Sequence, residues 1–390
     1  MSPSVRRPDA LRTAMINSGG GRRGVAAPEL ETAVPSPFPH TATVDPLTGG
    51  SGQLRAIHAQ LADHFGEGEI PPEFRLLYGA PELLCATWVA VRESLLVDPA
   101  PRRDKELVAA GVARALGCGP VLRTHVRALH TDGHPALART VRDGGTPGEP
   151  GHARLVAWGA ATAGPDGPPD DRPFAADHAA EFLGTALTAH FLSRLGSALL
   201  SARAGHGAPG RAWRLLGGRA AARPGRARAP RPGESLSLLP AAVGPEPSWA
   251  GGAPLGAGLA ALRCAATGDD RALTDTARRR VQTVVAAHGG RPPGTGSGDR
   301  RPDARGWLYT ALAGLRGADR PAAAVALLTA LNPAQLAASD VEFWRLTAPD
   351  GASGDAALLR LAAFGAYTAV ACVERTLVAP APGAGTHPRS

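Results

Sequence analysis

Apolar residues recur three and four positions apart through most of this chain, while the period-2 alternation that a half-buried strand needs is almost absent. In PELLCATWVAVRESLL (81–96), Leu84, Trp88 and Val91 stand at helical spacing behind Pro81, a residue suited to a first helical position. LRAIHAQLADHF reads as an amphipathic helix and PPEFRLLYG as a short one opened by proline. DKELVAAGVARAL and VLRTHVRALHTDG form two helical patterns separated by Gly117-Cys118-Gly119-Pro120. A long helix is expected over 174–202, and further ones over 253–266, 272–287, 304–315, 321–331 and 355–377. The expected fold class is all-α.

A chain of 390 residues can bury a sizeable core as one large domain or two. Ala, Gly, Pro and Arg are inflated throughout, and Lys105 is the single lysine. The formal charge of +8 is therefore a global bias and does not mark a nucleic-acid surface. The four cysteines are widely spaced, with no CxxC or zinc pattern, and a secreted disulfide framework does not fit this length. Arg6, Arg7, Arg22 and Arg23 are not followed by an apolar signal region, and the longest apolar run, 361–373, is too short to span a bilayer. These features predict a soluble cytoplasmic protein with no membrane or nucleic-acid partner.

The expected organisation is a disordered N-terminal arm (1–50), a helical domain (51–216), an Arg/Pro/Gly-rich linker (217–244), a second helical region (245–378) and a disordered tail (379–390). GGRAAARPGRARAPRPG (217–233) lacks interleaved aromatics and lysines, which favours a solvated linker over a nucleic-acid arm. One internal similarity appears when Ala115-Leu116 is laid on Ala330-Leu331. The apolar face then matches, but Glu106 falls opposite Pro321, Cys118 opposite Pro333, Val121 opposite Leu336 and His125 opposite Asp340.

The break at 117–120 has specific local physics. Gly117 and Gly119 interrupt the helix, and Pro120 suits the first turn of the next, so Cys118 is expected at a helix N-terminus. Free N–H groups and the helix dipole there favour an anion, which predicts a depressed thiol pKa, with Arg123 one turn on adding to it. Positions 118, 121 and 125 share one helical stripe, but Cys118 and His125 are roughly 10 Å apart along the axis, too far for a hydrogen bond. Glu106 reaches the same stripe if the two helices pack as an antiparallel hairpin. The alternatives are a small buried cysteine at a helix junction, a core histidine bonded to a carbonyl, and a glutamate paired with Arg102 or Arg103. His130 and His134 are separated by a helix end at Asp132-Gly133, which argues against a metal pair. His190 reads as a satisfied core histidine, and Cys85, Cys264 and Cys372 read as core.

A glutamate, eleven residues, then C-x-x-C-x-x-x-H is the signature of the alkyl hydroperoxide reductase D (AhpD)-like, carboxymuconolactone decarboxylase superfamily, and Glu106, Cys118, Val121 and His125 resemble it with one substitution. APELLCATWVAVRESLL and EFLGTALTAHFLSRLGSALL are similar to the long actinobacterial members, and DAALLRLAAFGAYTAV resembles their closing helix. The resemblance covers 50–205 and, more faintly, 245–378. It implies an AhpD-like helical bundle of two related repeats, the second degenerate, and a thiol oxidoreductase of alkylhydroperoxidase or peroxiredoxin type. Carried over by position, Glu106 is the proton acceptor, Cys118 the first thiol and His125 the base. Val121 occupies the place of the second thiol, so the dithiol–disulfide cycle is broken. A lone thiol reaches only a sulfenic acid or a mixed disulfide, and turnover then requires an external thiol donor. The implied substrate is a peroxide, with no cofactor and no metal, and members of the family assemble through helices. The alternatives are a decarboxylase-like lyase acting on a lactone through Glu106 and His125, and a non-catalytic descendant of the fold.

Overall fold

Prolines open helices in this chain and left-handed glycines close them, and the result is an all-α bundle. The computed structural model describes residues 36–48, 50–97, 99–165, 167–202, 230–241, 244–268, 272–293 and 305–379. Among these residues there are fourteen α-helices and no strand. In chain order they are α1 (Gly52–Phe65), α2 (Pro72–Leu76), α3 (Pro81–Val91), α4 (Arg102–Ala115), α5 (Gly119–Thr131), α6 (Pro135–Arg142), α7 (Pro150–Ala161), α8 (Ala179–Leu199), α9 (Pro254–Thr267), α10 (Asp275–Ala287), α11 (Gly306–Ala311), α12 (Asp319–Leu331), α13 (Ala338–Thr347) and α14 (Asp355–Val378). Proline is the first residue of α2, α3, α6, α7 and α9, where its missing N–H is not needed. A π-helical turn, Arg92–Leu96, continues α3.

The two longest helices, α8 and α14, pack on each other near the centre. Helices α4 and α5 lie against α8, and α7 covers α4; α12 and α10 lie against α14, and α3 pairs with α9. The described residues from Ser36 to Ala379 belong to one compact unit, so the described parts of the regions read as 51–216 and 245–378 share a core. Helix crossings close to backbone contact make this possible. A Cβ on Gly159 of α7 would lie 2.2 Å from the Val108 carbonyl of α4, and one on Gly365 of α14 would lie 2.1 Å from that of Ala326 on α12. The small-residue composition thus has a packing use, because only glycine admits such an approach. The helices matched by the internal similarity, α4 and α12, lie against α8 and α14 respectively. Asp340, opposite His125 in that match, instead pairs with Arg305 and accepts the Ala337 N–H at the start of α13.

Two boundaries differ from those expected. The N-terminal arm was expected to reach residue 50, but Phe38 is buried in the core and Ser201 N–H donates to the Pro37 carbonyl; residues 1–35 lie outside the described residues. The linker was expected to reach 244, yet its last part is docked. Gly233 N–H and the Ser235 hydroxyl donate to Glu93 of the π-turn, and Arg92 pairs with both Glu93 and Glu234. A buried carboxylate needs such donors, and this segment supplies them; residues 217–229 lie outside the described residues. Of the tail, only Ala379 is described. Helix α14 is long and apolar enough to cross a membrane, but 72% of its apolar window is buried inside the body, as in a core helix.

The core carries one polar strut that fixes a protonation state. His190 of α8 is fully buried; its Nε2 pairs with the Thr162 hydroxyl at 2.8 Å and its Nδ1 with Arg194 at 2.7 Å. Arg194 donates further to the carbonyls of Ala330 and Gly290, tying α8 to the end of α12. Nδ1 must accept from the guanidinium, so the imidazole is neutral with its proton on Nε2. Burial first, and Arg194 second, hold the His190 pKa well below 6.5. The unfolded chain takes up this proton below pH 6.5 and the folded chain does not. Stability is therefore expected to fall by about 1.4 kcal/mol per pH unit below 6.5 through this residue. Urea midpoints of wild type and His190→Gln at pH 7.5, 6.0 and 5.0 check this, and the wild type should show the steeper acid loss.

Candidate active site

The chain between α4 and α5 folds as its glycines dictate. Gly117 takes a left-handed φ of 66° just past α4; its N–H bonds to the Arg114 carbonyl, and the Cys118 N–H reaches back to Ala113 at 2.9 Å. This double closure ends the helix. Cys118 is then the N-cap of α5, with Gly119 and Pro120 following, and its carbonyl accepts the Leu122 N–H.

The hairpin packs antiparallel and joins two of the three expected residues. His125 Nδ1–H donates to Glu106 Oε2 at 2.6 Å, with both side chains buried. Arg102 Nε approaches the other carboxylate oxygen at 3.3 Å, so the alternative pairing with Arg102 coexists with the histidine contact. Arg103 turns instead to Asp104. Burial pushes the Glu106 carboxyl up, but the hydrogen bond and charge of His125, with Arg102 behind them, outweigh it and leave the pKa below its usual value. Glu106 is thus ionised and holds the imidazole with Nε2 outward. That Nε2 is buried and has no hydrogen-bond partner.

Cys118 lies where expected, but its electrostatics are the reverse of the expectation. It is 1% exposed, and Gly196 of α8 is pressed against it: a Cβ there would be 2.9 Å from Sγ and 3.3 Å from Val121 Cγ2. Burial raises the thiol pKa to about 11. The Val121 N–H, the Ser197 hydroxyl and Arg123 oppose the rise and Glu73 adds to it. Neither Val121 N–H nor Ser197 makes an aligned hydrogen bond to the sulfur. The helix-terminus effect is real but smaller than desolvation under α8. Val121, fully buried between Cys118 and His125, fills the gap that the axial spacing predicts.

Sequence reasoning missed Glu73. It sits in the first turn of α2 and is 2% exposed; burial raises its pKa, with Thr124, His125 and Arg123 opposing the rise. Helix α2 packs on α5 and α8, which carries Glu73 to the Cys118 side of the hairpin. The proline pair before it marked a helix start, where a glutamate is ordinarily solvated. Cys264 was read as core and is exposed on α9, because its side chain faces Gly244 outside the helix pairing. Cys85 and Cys372 are buried, and His190 has its hydrogen bonds met. Among the described residues no cluster of metal-ligating side chains occurs. A cavity lined by Glu82, Cys264, Arg278, Arg360 and Phe364 lies away from this hairpin. Its Arg278 donates to the Thr267 and Gly268 carbonyls and its Arg360 pairs with Glu82, so both charges are committed.

No protein-family model and no solved structure matches the chain. It is 34% identical over 351 residues to an alkyl hydroperoxide reductase of Mycobacterium tuberculosis, spanning 88% of this chain and 96% of that protein. Similarity at that level over nearly the whole of both chains accompanies the all-α architecture and the buried glutamate–histidine pair on the hairpin that carries Cys118, and the chain belongs to the AhpD-like superfamily.

Proposed function

We propose that the protein is an AhpD-like thiol oxidoreductase that reduces hydroperoxides slowly, with Cys118 as nucleophile and an external thiol as electron donor. The observation that carries this reading is the Glu106–His125 pair, 2.6 Å apart, with the imidazole Nε2 unpartnered on the face shared with Cys118. The relative's name, alkyl hydroperoxide reductase, points to the same chemistry. Peroxide oxidises the thiol to a sulfenic acid, the donor thiol converts this to a mixed disulfide, and a second donor thiol releases Cys118. The reaction is impaired for two reasons. Val121 withholds the resolving thiol, and a thiol with a pKa of about 11 is ionised to only about one part in 10⁴ at pH 7. The cytoplasm, where reduced thiols are plentiful, is the compartment that suits such a cycle.

Because the thiol pKa lies above the assay range, the thiolate fraction grows tenfold per pH unit. In His125→Ala, where the thiol can lose its proton only to solvent, the rate of sulfenic-acid formation is expected to rise about tenfold per unit between pH 7 and 9. Stopped-flow trapping with tert-butyl hydroperoxide measures this, and a flat profile contradicts a protonated Cys118 as the reacting group.

A second reading has its own support: the acid–base pair is complete without the thiol. A lyase acting on a carboxylated lactone would use Glu106 and His125 alone. Lactone turnover lost in His125→Ala and retained in Cys118→Ser establishes it; no turnover in wild type discards it.

A further inference from the structure

Two charges of the α4–α5 hairpin stand at the unfavourable ends of their helices. Arg102 is the first residue of α4, where the helix dipole is positive, and Asp132 caps the C-terminus of α5, where it is negative. The antiparallel packing brings the two together, with Arg102 Nε 3.6 Å from Asp132 Oδ2. The same Nε donates to Glu106 Oε1 at 3.3 Å, and Glu106 Oε2 takes the His125 Nδ1–H at 2.6 Å. Asp132, Arg102, Glu106 and His125 thus form one line of contacts from the surface into the core. The side chains of Asp132 and Arg102 are 33% and 30% exposed, and that of Glu106 is 2% exposed.

The charges along this line decide where protons rest. Ionised Glu106 with a neutral imidazole is a buried pair of net charge −1, holding one proton at Nδ1, and Arg102 balances it. A second proton, taken up at Nε2, would set two cations against one carboxylate. A cation in hydrogen-bond contact opposes that uptake, the more so where water screens little. Asp132 draws on the same guanidinium from the exposed side. The neighbouring charges are placed differently. His64 of α1 interacts with both Glu106 and Arg102, but burial, and then Arg102, lower its pKa to about 4, so it is neutral above pH 5. Asp104 of α4 is met by Arg103 and by His152 of α7, and Arg92 of the π-turn by Glu93 and Glu234. Glu73 of α2 interacts with His125, but burial raises its pKa and favours the uncharged acid.

We propose that Arg102 is a positioning residue of the peroxide-reducing site: anchored by Asp132, it stops the Glu106–His125 pair from taking up a second proton and so keeps His125 Nε2 open as a base near neutral pH. The inference rests on the peroxide-reductase reading above. Arg102 touches neither thiol nor peroxide and acts through Glu106.

The readout is the pH at which the relay switches on. Sulfenic-acid formation with tert-butyl hydroperoxide is followed from acid to alkaline pH in the full chain carrying Cys264→Ser, and the rate of the matching His125→Ala protein is subtracted. Arg102→Met keeps much of the stem and removes the charge, and the midpoint of the acid limb is expected to rise by about one pH unit or more. Arg102→Lys keeps the charge and is expected to stay within about 0.3 unit of wild type. Asp132→Asn leaves the guanidinium to Glu106 alone and is expected to lower the midpoint by about half a unit. Opposite shifts from the two ends of the line are not what a loss of packing produces. A midpoint unmoved in Arg102→Met, or raised equally in Arg102→Lys, overturns the inference and marks Arg102 as structural. If Arg102→Met does not fold, a midpoint unmoved or raised in Asp132→Asn overturns it in the same way. No His125-dependent sulfenic acid in protein that retains Arg102 removes the underlying reading, and the inference falls with it.

Discussion

Val121→Cys is expected to raise peroxide consumption in the presence of a dithiol reductant by about 10²-fold or more. Val121 is fully buried against Gly196, and cysteine is the smaller residue, so the substitution adds no crowding. The new thiol would stand one helical turn before His125, on the face that carries the unpartnered Nε2. General-base help then reaches a sulfur directly. A second thiol three residues from Cys118 also lets the sulfenic acid resolve within the chain, replacing two encounters with donor thiol by one ring closure. Steady-state consumption of tert-butyl hydroperoxide by wild type and variant measures the gain. A folded variant that shows none contradicts the claim that the Glu106–His125 pair is a working relay.

Glu106→Gln is expected to slow sulfenic-acid formation at Cys118 about 10²-fold while leaving the fold intact. The amide oxygen still accepts the Nδ1 proton, so the ring keeps its orientation and the hairpin its packing. What is lost is the negative charge that favours an imidazolium, and with it the basicity of Nε2. Glu106→Ala removes the acceptor as well, leaving a buried Nδ1–H unmet, and is expected to destabilise by about 1–3 kcal/mol in addition. Single-turnover rates and urea midpoints on both variants separate the two effects. Equal rates in wild type and Glu106→Gln contradict the relay.

The helices of this protein are legible because proline, glycine and apolar spacing are local signals. Pro81 and Pro254 start helices, and Gly117 ends one, without help from the rest of the chain. Helices α7 and α13 were not anticipated; α7 holds two glycines, and it gains its place from Gly159 meeting the α4 backbone. The candidate site was half legible. The spacing of Glu106, Cys118 and His125 is carried by one hairpin, so local geometry suffices to bring the glutamate to the histidine. The state of the thiol was not legible, because it depends on Gly196 of α8 lying over the sulfur, a contact 78 residues distant in sequence. The same holds for Glu73, which reads as an ordinary first-turn carboxylate until α2 is folded against α5. The exposure of Cys264 follows from which face of α9 the pairing with α3 covers.

That exposure shapes the measurement that bears most directly on the account. Intact mass is determined after mild peroxide treatment with a sulfenic-acid trap, at pH 9, on Cys264→Ser protein with and without Cys118→Ser. The account predicts one trap adduct that builds up slowly and is absent when Cys118 is replaced. No adduct on the folded protein, or one that persists in the double variant, would mean that Cys118 is an inert core thiol and that the chemistry of this fold lies elsewhere.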